Sequence, residues 1–373
     1  MSSHGIAGFA AAALASLTPK QIEFLRSLPK AELHAHLNGS IPLSVLQDLS
    51  RDYLRDQQSH DDANAEAVRA GIDRLSQGVV FTEIHDFFGL FPAIYTLTST
   101  PQSLAKAARA VLHHFLSPSD DGPPEAAYLE LRSTPRETPA TSRLQYLEAI
   151  LDEVEKFGEE QAALIVSMDR RMTPEVASEC VDCAIKLRDA GRRVVGVDLC
   201  GDVKAGNVAN FEAQFRKAKT AGLGVTTHIA EIPETPAEEI QQLLSYEPDR
   251  LGHATFLDET SKELVRNSNS CIEICLSSNL LCKTVDNLDV HHIRYYLRHN
   301  HPIAICTDDI LPFRNSLLGE YALLMAAPPL GLGLSEEEIR RVAQMGLECR
   351  FPCKTTDIPL QHFVVIHVWH NSA

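Results

Sequence analysis

The sequence predicts an α/β protein whose single domain is a (β/α)8 (TIM) barrel, in which eight parallel strands alternate with helices. Eight short apolar runs of β-like composition alternate with longer segments that have helical apolar spacing. Polar residues stand at the C-terminal end of each run. With 373 residues, 44% of them hydrophobic and 23% charged, the chain can bury a large core. Because active sites in such barrels lie at the C-terminal strand ends, we expect a site there.

The elements follow one another in this alternating order, and no repeat or low-complexity block interrupts them. The predicted strands are Glu32–Leu37, Ala126–Ser133, Ala163–Asp169, Val194–Cys200, Gly224–Ala230, Arg250–Thr255, Cys271–Ser277 and Ile303–Thr307. Between them, helical spacing bounded by turn residues marks stretches such as Ser142–Glu160, Pro174–Ala190 and Phe211–Ala221.

The domain boundaries follow from this pattern. Residues 20–351 are assigned to the barrel, after a flexible or weakly helical N-terminus at 1–19. Residues 48–98 form a predicted helical insertion after the first strand, polar at first and then aromatic-rich. Its aromatic part could be a lid over the pocket or could pack on the outside of the barrel. Residues 352–373 form an atypical tail with a short apolar run.

Composition excludes several classes of partner. The formal net charge of −16 argues against a nucleic acid polymer, whose binding depends on Lys and Arg that neutralise phosphates. The apolar residues 5–17 have no basic residue before them and are too short to span a bilayer. Nine cysteines without dense spacing fit a reducing compartment, and the lone Cys180-x-x-Cys183 is interpreted as structural. We therefore expect a cytosolic protein with no membrane partner. A monomer is also expected, although none of these observations bears on the oligomeric state.

The most informative stretch contains His34 and His36. Two histidines two positions apart on a strand point to the same side, so both rings can reach one metal ion. Alone, such a pair is as often structural as metal-binding, and a single buried histidine or Asp-Asp turn elsewhere has an equally plain explanation. The other strand ends, however, repeat the signal in one barrel, with Glu130, Arg132, Ser133, Thr134, Pro135, Arg136, Asp169, Asp198, Gly201, His228, Glu231, His253, Ser277, Asn279, Asp308 and Asp309.

Four of these residues form a candidate metal site. Three imidazoles and one carboxylate suit a single Zn²⁺ and leave a position for water, whose pKa the metal would lower towards neutrality. The four are His34, His36, His228 and Asp308. His253 and Asp308 could orient this water and take its proton, and Glu231 could act as general acid. Gly201 would let a substrate approach the backbone closely.

These motifs resemble the adenosine deaminase family of the amidohydrolase superfamily. The matching pieces span about residues 20–325 and are Leu33-His-Ala-His-Leu37, Asp198-Leu-Cys-Gly201, His228-Ile-Ala-Glu231, Gly252-His-Ala-Thr255, Ser277-Ser-Asn279 and Thr307-Asp-Asp309. The resemblance implies attack of zinc-bound hydroxide on C6 of a purine while Glu231 protonates N1. It also implies that Asp309 contacts the N7 side, that Gly201 donates to N3, and that the 6-amino group leaves.

Within the family, Asn38 indicates a nucleotide substrate. Family members that act on adenosine have Asp here, and that carboxylate would repel a 5′-phosphate by ~4 kcal/mol at 4 Å and an effective dielectric near 20. The alternative is a turn residue that touches no ligand. The sequence resembles the adenosine deaminase-like subgroup, which converts N6-methyl-AMP and related nucleotides to IMP and an alkylamine. The residues that we expect to contact this substrate are His36, Asn38, Tyr95, Ser133, Thr134, Pro135, Arg136, Asp169, Gly201 and Asp309.

Two departures and three alternatives remain. Tyr95 stands where the subgroup, as aligned, usually has a histidine, and the resemblance ends near Phe351. One alternative is deamination of free adenosine. Another is a two-metal amidohydrolase, although no predicted strand end carries the lysine that such sites often use. The third is a catalytically silent barrel that binds or signals.

Overall fold

The computed structural model describes residues 6–56, 63–78, 89–119 and 122–353. Eight parallel strands pair in sequential order around the barrel. Their bounds are β1 Ala31–His36, β2 Tyr128–Ser133, β3 Ala162–Asp169, β4 Val194–Cys200, β5 Gly224–Ile229, β6 Arg250–His253, β7 Cys271–Ile274 and β8 Ile303–Ile305. The ring closes between the first and last strands, where Asp308 N–H donates to His34 O at 2.9 Å and His36 N–H to Asp308 O at 3.2 Å. The predicted TIM barrel is confirmed.

Helices surround the strands and cover the outside of the barrel. Those in the described residues are α1 Gly8–Ser16, α2 Pro19–Ser27, α3 Leu43–Asp56, α4 Ala63–Gln77, α5 Phe91–Leu97, α6 Pro101–Leu116, α7 Arg143–Val154, α8 Pro174–Asp189, α9 Glu212–Thr220, α10 Ala237–Ser245, α11 Glu259–Ser268, α12 Leu276–Leu281, α13 Ile293–Arg298, α14 Ile310–Phe313, α15 Leu317–Met325 and α16 Glu336–Glu348. None of these helices has the length and apolar character needed to cross a membrane.

Side-chain caps explain where several helices begin. Ser142 accepts a hydrogen bond from Gln145 N–H, and the Gln145 side chain accepts one from Ser142 N–H in return. Thr18, Thr100 and Ser335 make the same capping box at α2, α6 and α16. Each box satisfies backbone donors that the first turn leaves unpaired, at a gain of about 1 kcal/mol. Because these caps fix the first residue of each helix, they also fix the end of the loop that leads into that helix from the site end of the barrel.

The N-terminal segment forms part of the packed structure. Where the sequence favoured a flexible or weakly helical stretch, residues 8–16 form α1, with Ala10 and Ala13 buried. A β-carbon added to Gly319 of α15 would lie 3.0 Å from the Ala10 β-carbon, so the two helices touch closely. Small residues on both surfaces permit this approach. The tail assigned to 352–373 lies outside the described residues beyond position 353.

The predicted insertion at 48–98 is helical in its described parts. The helices α3, α4 and α5 bury apolar side chains in the main core, among them Leu49, Val68, Ile72, Phe91 and Ile94. The aromatic stretch predicted as a lid is residues 81–98, and its first part, 81–88, lies outside the described residues. The part that follows, α5, places Phe91 and Tyr95 in the wall of the pocket described below.

Candidate active site

The C-terminal strand ends surround a pocket that encloses about 770 Å³, part of it open to solvent. Its lining includes Arg132, Arg171, Ser278, Cys282 and Phe313. Twelve of the residues predicted for the site also line it: His36, Asn38, Tyr95, Ser133, Thr134, Asp169, Gly201, His228, Glu231, His253, Asp308 and Asp309. His34 is fully buried beside this lining, and Pro135 and Arg136 are not part of it.

The four predicted metal ligands converge at one point. The Nε2 atoms of His36 and His228 lie 3.1 Å apart. Asp308 Oδ1 lies 3.7 Å from His34 Nε2 and 3.6 Å from His36 Nε2. Ligand atoms that share one tetrahedral ion at ~2.1 Å are separated by roughly 3.0–3.7 Å. His34 Nε2 is moreover buried without a hydrogen-bond partner. The donor set and this unpaired atom both fit a metal ion.

Two buried carboxylates orient the histidines. His34 Nδ1 donates to Glu273 Oε2 at 2.6 Å, and His228 Nδ1 donates to Asp198 Oδ1 at 3.1 Å. Both contacts leave Nε2 facing the metal position, which is the usual arrangement of a histidine ligand and its outer carboxylate. Arg132 joins the two acids, with Nη2 2.9 Å from Glu273 and Nη1 3.5 Å from Asp198. Glu273 and its contact with His34 were missed from the sequence, although a charged residue inside the short apolar run 271–274 was a usable signal.

The protonation of the three imidazoles follows from their surroundings. Burial and Arg132 lower the pKa of His34 well below its usual value, and burial with His228 lowers the pKa of His36 to about 3. Burial also opposes the charged form of His228, but the Asp198 carboxylate outweighs it and raises the pKa to about 9. His34 and His36 are therefore neutral at pH 7, and a metal ion would displace a proton from His228.

The candidate acid and base lie beside this cluster. His253 Nε2 is 3.7 Å from Glu231 Oε2 and 3.9 Å from Asp308 Oδ2. His292 Nε2 donates to His253 O at 2.8 Å and so fixes the backbone at the end of β6. His253 and Asp308 have φ angles of 62° and 63°, which cost about 1–3 kcal/mol each in residues other than glycine. The strand ends hold both side chains in the pocket in spite of this strain.

A third carboxyl group, that of Asp309, lies beside Asp308. Burial and the adjacent Asp308 raise the pKa of Asp309 well above its usual value. Its Oδ1 atom is buried without a partner. A β-carbon on Gly39 would collide with this oxygen, so only glycine fits there. Gly201, at φ 105°, likewise admits no β-carbon because Asp169 lies against it.

Asn38 is held by its neighbours in the pocket wall. Its Nδ2 donates to Thr98 Oγ1 at 3.2 Å, and its Oδ1 accepts from Tyr146 OH at 3.3 Å. The same tyrosine hydroxyl lies 2.8 Å from Ser133 Oγ. Thr98 and Tyr146 were not predicted. Their contacts fix the orientation of the Asn38 amide, and one further hydrogen atom on Nδ2 stays available for a ligand.

The two arginines of this region are already engaged. The Arg136 guanidinium lies over the Tyr95 ring, 3.2 Å from its centroid, and its Nε has no hydrogen-bond partner. Burial raises the pKa of Tyr95 to about 12. Arg171 lines the pocket and donates from Nε and Nη2 to the Asp169 carboxylate at 2.8 and 2.5 Å. Arg171 was not among the predicted substrate contacts.

Comparison with known proteins assigns the family. A family model described as adenosine deaminase matches residues 29–357 of this chain. The chain belongs to the adenosine deaminase family. It is a hydrolytic deaminase, as the resemblance of its motifs implied, and the predictions of family and reaction type are confirmed.

Relatives from this family match over nearly their whole length. N6-methyl-AMP deaminase of Danio rerio is 34% identical over 341 residues, covering 88% of this chain and 92% of the relative. N6-mAMP deaminase of Arabidopsis thaliana is 32% identical, covering 88% and 94%. The crystal structure of Arabidopsis ADAL complexed with IMP has a TM-score of 0.78 at 32% identity, covering 89% and 95%. A small-molecule nucleotide is thus bound by a protein that shares this deaminase fold.

Proposed function

We propose that this deaminase hydrolyses N6-methyl-AMP, and related N6-substituted AMPs, to IMP and an alkylamine. The single observation that carries the substrate is the neutral amide of Asn38, held in the pocket wall where a carboxylate would repel a phosphate. The relatives named N6-methyl-AMP deaminase support the same substrate.

One zinc ion per chain is part of the proposal. His34, His36, His228 and Asp308 would hold it, since nitrogen ligands with one carboxylate suit zinc. When bound, zinc acts as a Lewis acid that makes a water molecule nucleophilic near pH 7. Burial of Asp308 would raise its pKa, but the neighbouring His253 outweighs this effect and holds the pKa below its usual value, so the carboxylate is charged and able to bind.

Side chains around the metal position would move the protons. Glu231 delivers a proton to N1 of the purine as C6 is attacked, and its buried Oε1, which has no partner, is the free donor or acceptor. His253 and Asp308 orient the attacking water and take its proton as the bond from oxygen to C6 forms. A proton is returned to the alkylamine nitrogen as the C6–N6 bond breaks. Asp309 faces the N7 side, and Gly201 N–H donates to N3. Asp169 forms the wall beside Gly201 and fixes the position of the base.

The phosphate would be held near Asn38. Its remaining Nδ2 hydrogen, the hydroxyls of Ser133 and Thr134, and the Arg136 guanidinium supply neutral and positive donors. Pro135 fixes the backbone between them, and His36 contacts the nucleotide as well as the metal. Tyr95 supports Arg136 by stacking. We extend the proposal to a monomer in the cytosol, which gel filtration and cell fractionation test.

The first experiment is a product assay with purified protein. N6-methyl-AMP, AMP, N6-methyladenosine and adenosine are incubated in parallel, and IMP and inosine are separated by chromatography. IMP from N6-methyl-AMP with little inosine is expected. Inosine as the main product would agree with deaminase activity but would refute the proposed phosphate site. Absence of product from all four, in protein that carries about one zinc per chain, would refute the substrate class.

A further inference from the structure

The chain segment after α16 closes the end of the barrel opposite the pocket. Phe351 is buried there, and its ring fills the space above two glycines, Gly196 and Gly224, that are register partners in β4 and β5. A β-carbon on Gly196 would lie 2.6 Å from this ring, and one on Gly224 would also collide with it. The ring lies over the Arg250 guanidinium, with 3.7 Å between the guanidinium carbon and the ring centroid. Phe351 thus excludes water from this end of the barrel.

Charged groups connect Phe351 with a proposed metal ligand. Phe351 N–H donates to Glu130 Oε1 at 2.7 Å, and Glu130 Oε2 forms an ion pair with Arg250 Nη2 at 2.6 Å. Arg250 Nε donates to Glu273 Oε1 at 2.8 Å, and Glu273 Oε2 accepts from His34 Nδ1 at 2.6 Å. The side chains of Glu130, Arg250, Glu273 and His34 are each at most 1% exposed. We call this series of contacts the buried chain.

The C-terminal segment also holds Arg250 directly. The Cys349 carbonyl accepts from Arg250 Nη1 at 2.9 Å. Arg250 is therefore fixed by Cys349, by the Phe351 ring and by Glu130, and it aligns one oxygen of Glu273. The other oxygen of Glu273 is left for His34 and Arg132. Glu273 stays ionised, because Arg132 and Arg250 outweigh the effect of burial and hold its pKa below the usual value.

We propose that Phe351 and Glu130 are positioning residues for His34, acting through Arg250 and Glu273. This inference rests on the metal site of the proposed function. The attraction between buried charges depends on a low local dielectric, so water admitted where the Phe351 ring lies would weaken the Arg250–Glu273 contact. Loss of a partner that orients a histidine ligand costs 10–100-fold in metal affinity. Phe351 and Glu130 lie two contacts beyond His34's partner Glu273 in the buried chain, so we expect an effect at the lower end of this range.

The test measures zinc affinity by competition with a chromogenic chelator, together with the visible spectrum of the Co²⁺-substituted protein. Phe351→Ala is compared with Phe351→Leu, which keeps apolar volume at this position. Phe115→Ala is the matched control, since Phe115 is fully buried in α6 away from the buried chain. Glu130→Gln keeps the volume of the side chain but removes the negative charge that pairs with Arg250. It provides a second test of the proposal if Phe351→Ala does not fold. IMP binding to each zinc-loaded variant is measured in parallel.

Phe351→Ala and Glu130→Gln should each weaken zinc binding about tenfold and alter the Co²⁺ spectrum, with unchanged IMP affinity. Phe351→Leu should restore most of the affinity. Phe115→Ala should lower the melting temperature without changing zinc affinity. Equal zinc affinity in the wild type, Phe351→Ala and Glu130→Gln would refute the positioning role and leave the proposed function intact. A wild type that binds no zinc would instead refute the metal site, and this inference with it.

Discussion

At the metal cluster, His34 and His228 each donate to a carboxylate that is wholly buried in the barrel. At the proposed phosphate site, by contrast, Arg136 is only half-buried and contacts Tyr95, another residue proposed to hold the nucleotide. Arg171, on the same pocket, is half-exposed and pairs with Asp169. The proposed metal ligands (the metal end of the pocket) are therefore oriented by wholly buried groups that are not proposed to touch substrate. The two arginines near the proposed phosphate site (the phosphate end) are only partly buried, and they contact other residues that line the pocket.

This difference predicts how the two ends respond to change. Buried, charged contacts lose several kcal/mol when one partner is removed, because the remaining group is left unpaired in a low dielectric. Half-exposed contacts lose less, since water replaces the missing partner. Substitutions at the metal end should therefore abolish function, whereas those at the phosphate end should change substrate preference.

The largest effect is expected for Glu231→Gln at the metal end. It retains the shape of the side chain but cannot deliver the proton to N1, so turnover should fall by about 10²–10⁴-fold. Zinc content and IMP affinity should stay near those of the wild type, which metal analysis and calorimetry check. Turnover close to the wild-type value would exclude Glu231 as the general acid.

Asp198→Asn should have an intermediate effect. The amide oxygen of the asparagine accepts a weaker hydrogen bond from His228 Nδ1 than the carboxylate does, so it orients the ring less firmly. Zinc affinity should therefore fall about 10–100-fold. Chelator competition measures this loss. Glu153→Gln is the matched control, because it removes a buried carboxylate that pairs with Arg109 outside the barrel interior. An equal loss in both variants would mean that Asp198 acts on stability alone.

The smallest effect is expected for Asn38→Asp at the phosphate end. The new charge should lower kcat/KM for N6-methyl-AMP at least about tenfold relative to N6-methyladenosine, which corresponds to ~1.4 kcal/mol of repulsion. Each substrate serves as the internal control for the other. An unchanged ratio of the two kcat/KM values would show that Asn38 does not face the phosphate.

The sequence predicted the strands well, because buried parallel strands are continuous apolar runs that end in polar residues. The eighth predicted strand extended to Thr307, but β8 ends at Ile305. The seventh extended to Ser277, whereas β7 ends at Ile274 and α12 begins at Leu276. A six-residue helix is too short to show helical spacing, so this boundary could not be found.

The site was predicted as far as its residues follow the strands in sequence. His34 and His228 were predicted as ligands because they stand in recognisable motifs, and the structure places both in the same cluster. Glu273 was missed because its role depends on the strand register of the barrel. The register places the Glu273 carboxylate beside the His34 ring, although the two residues are 239 positions apart in the chain. The partners of Asn38, Thr98 and Tyr146, come from loop and helix positions whose approach depends on tertiary packing. Motif spacing points to candidate ligands, whereas the residues that orient them follow only from packing.

Three residues belong both to the candidate metal site and to the seam of the barrel, which is the junction between its first and last strands. They are His34, His36 and Asp308, whose backbone groups are hydrogen-bonded across this junction. During synthesis, a nascent chain cannot assemble this site until position 308 has left the ribosome, more than 270 residues after the first ligand. Early capture of zinc by the isolated His34–His36 pair would be weak and reversible. Metal binding should therefore occur late in folding. A bound ion would link the two sides of the seam and slow their separation. Slower hydrogen exchange of the β1 and β8 amides in the metal-bound protein would show this effect.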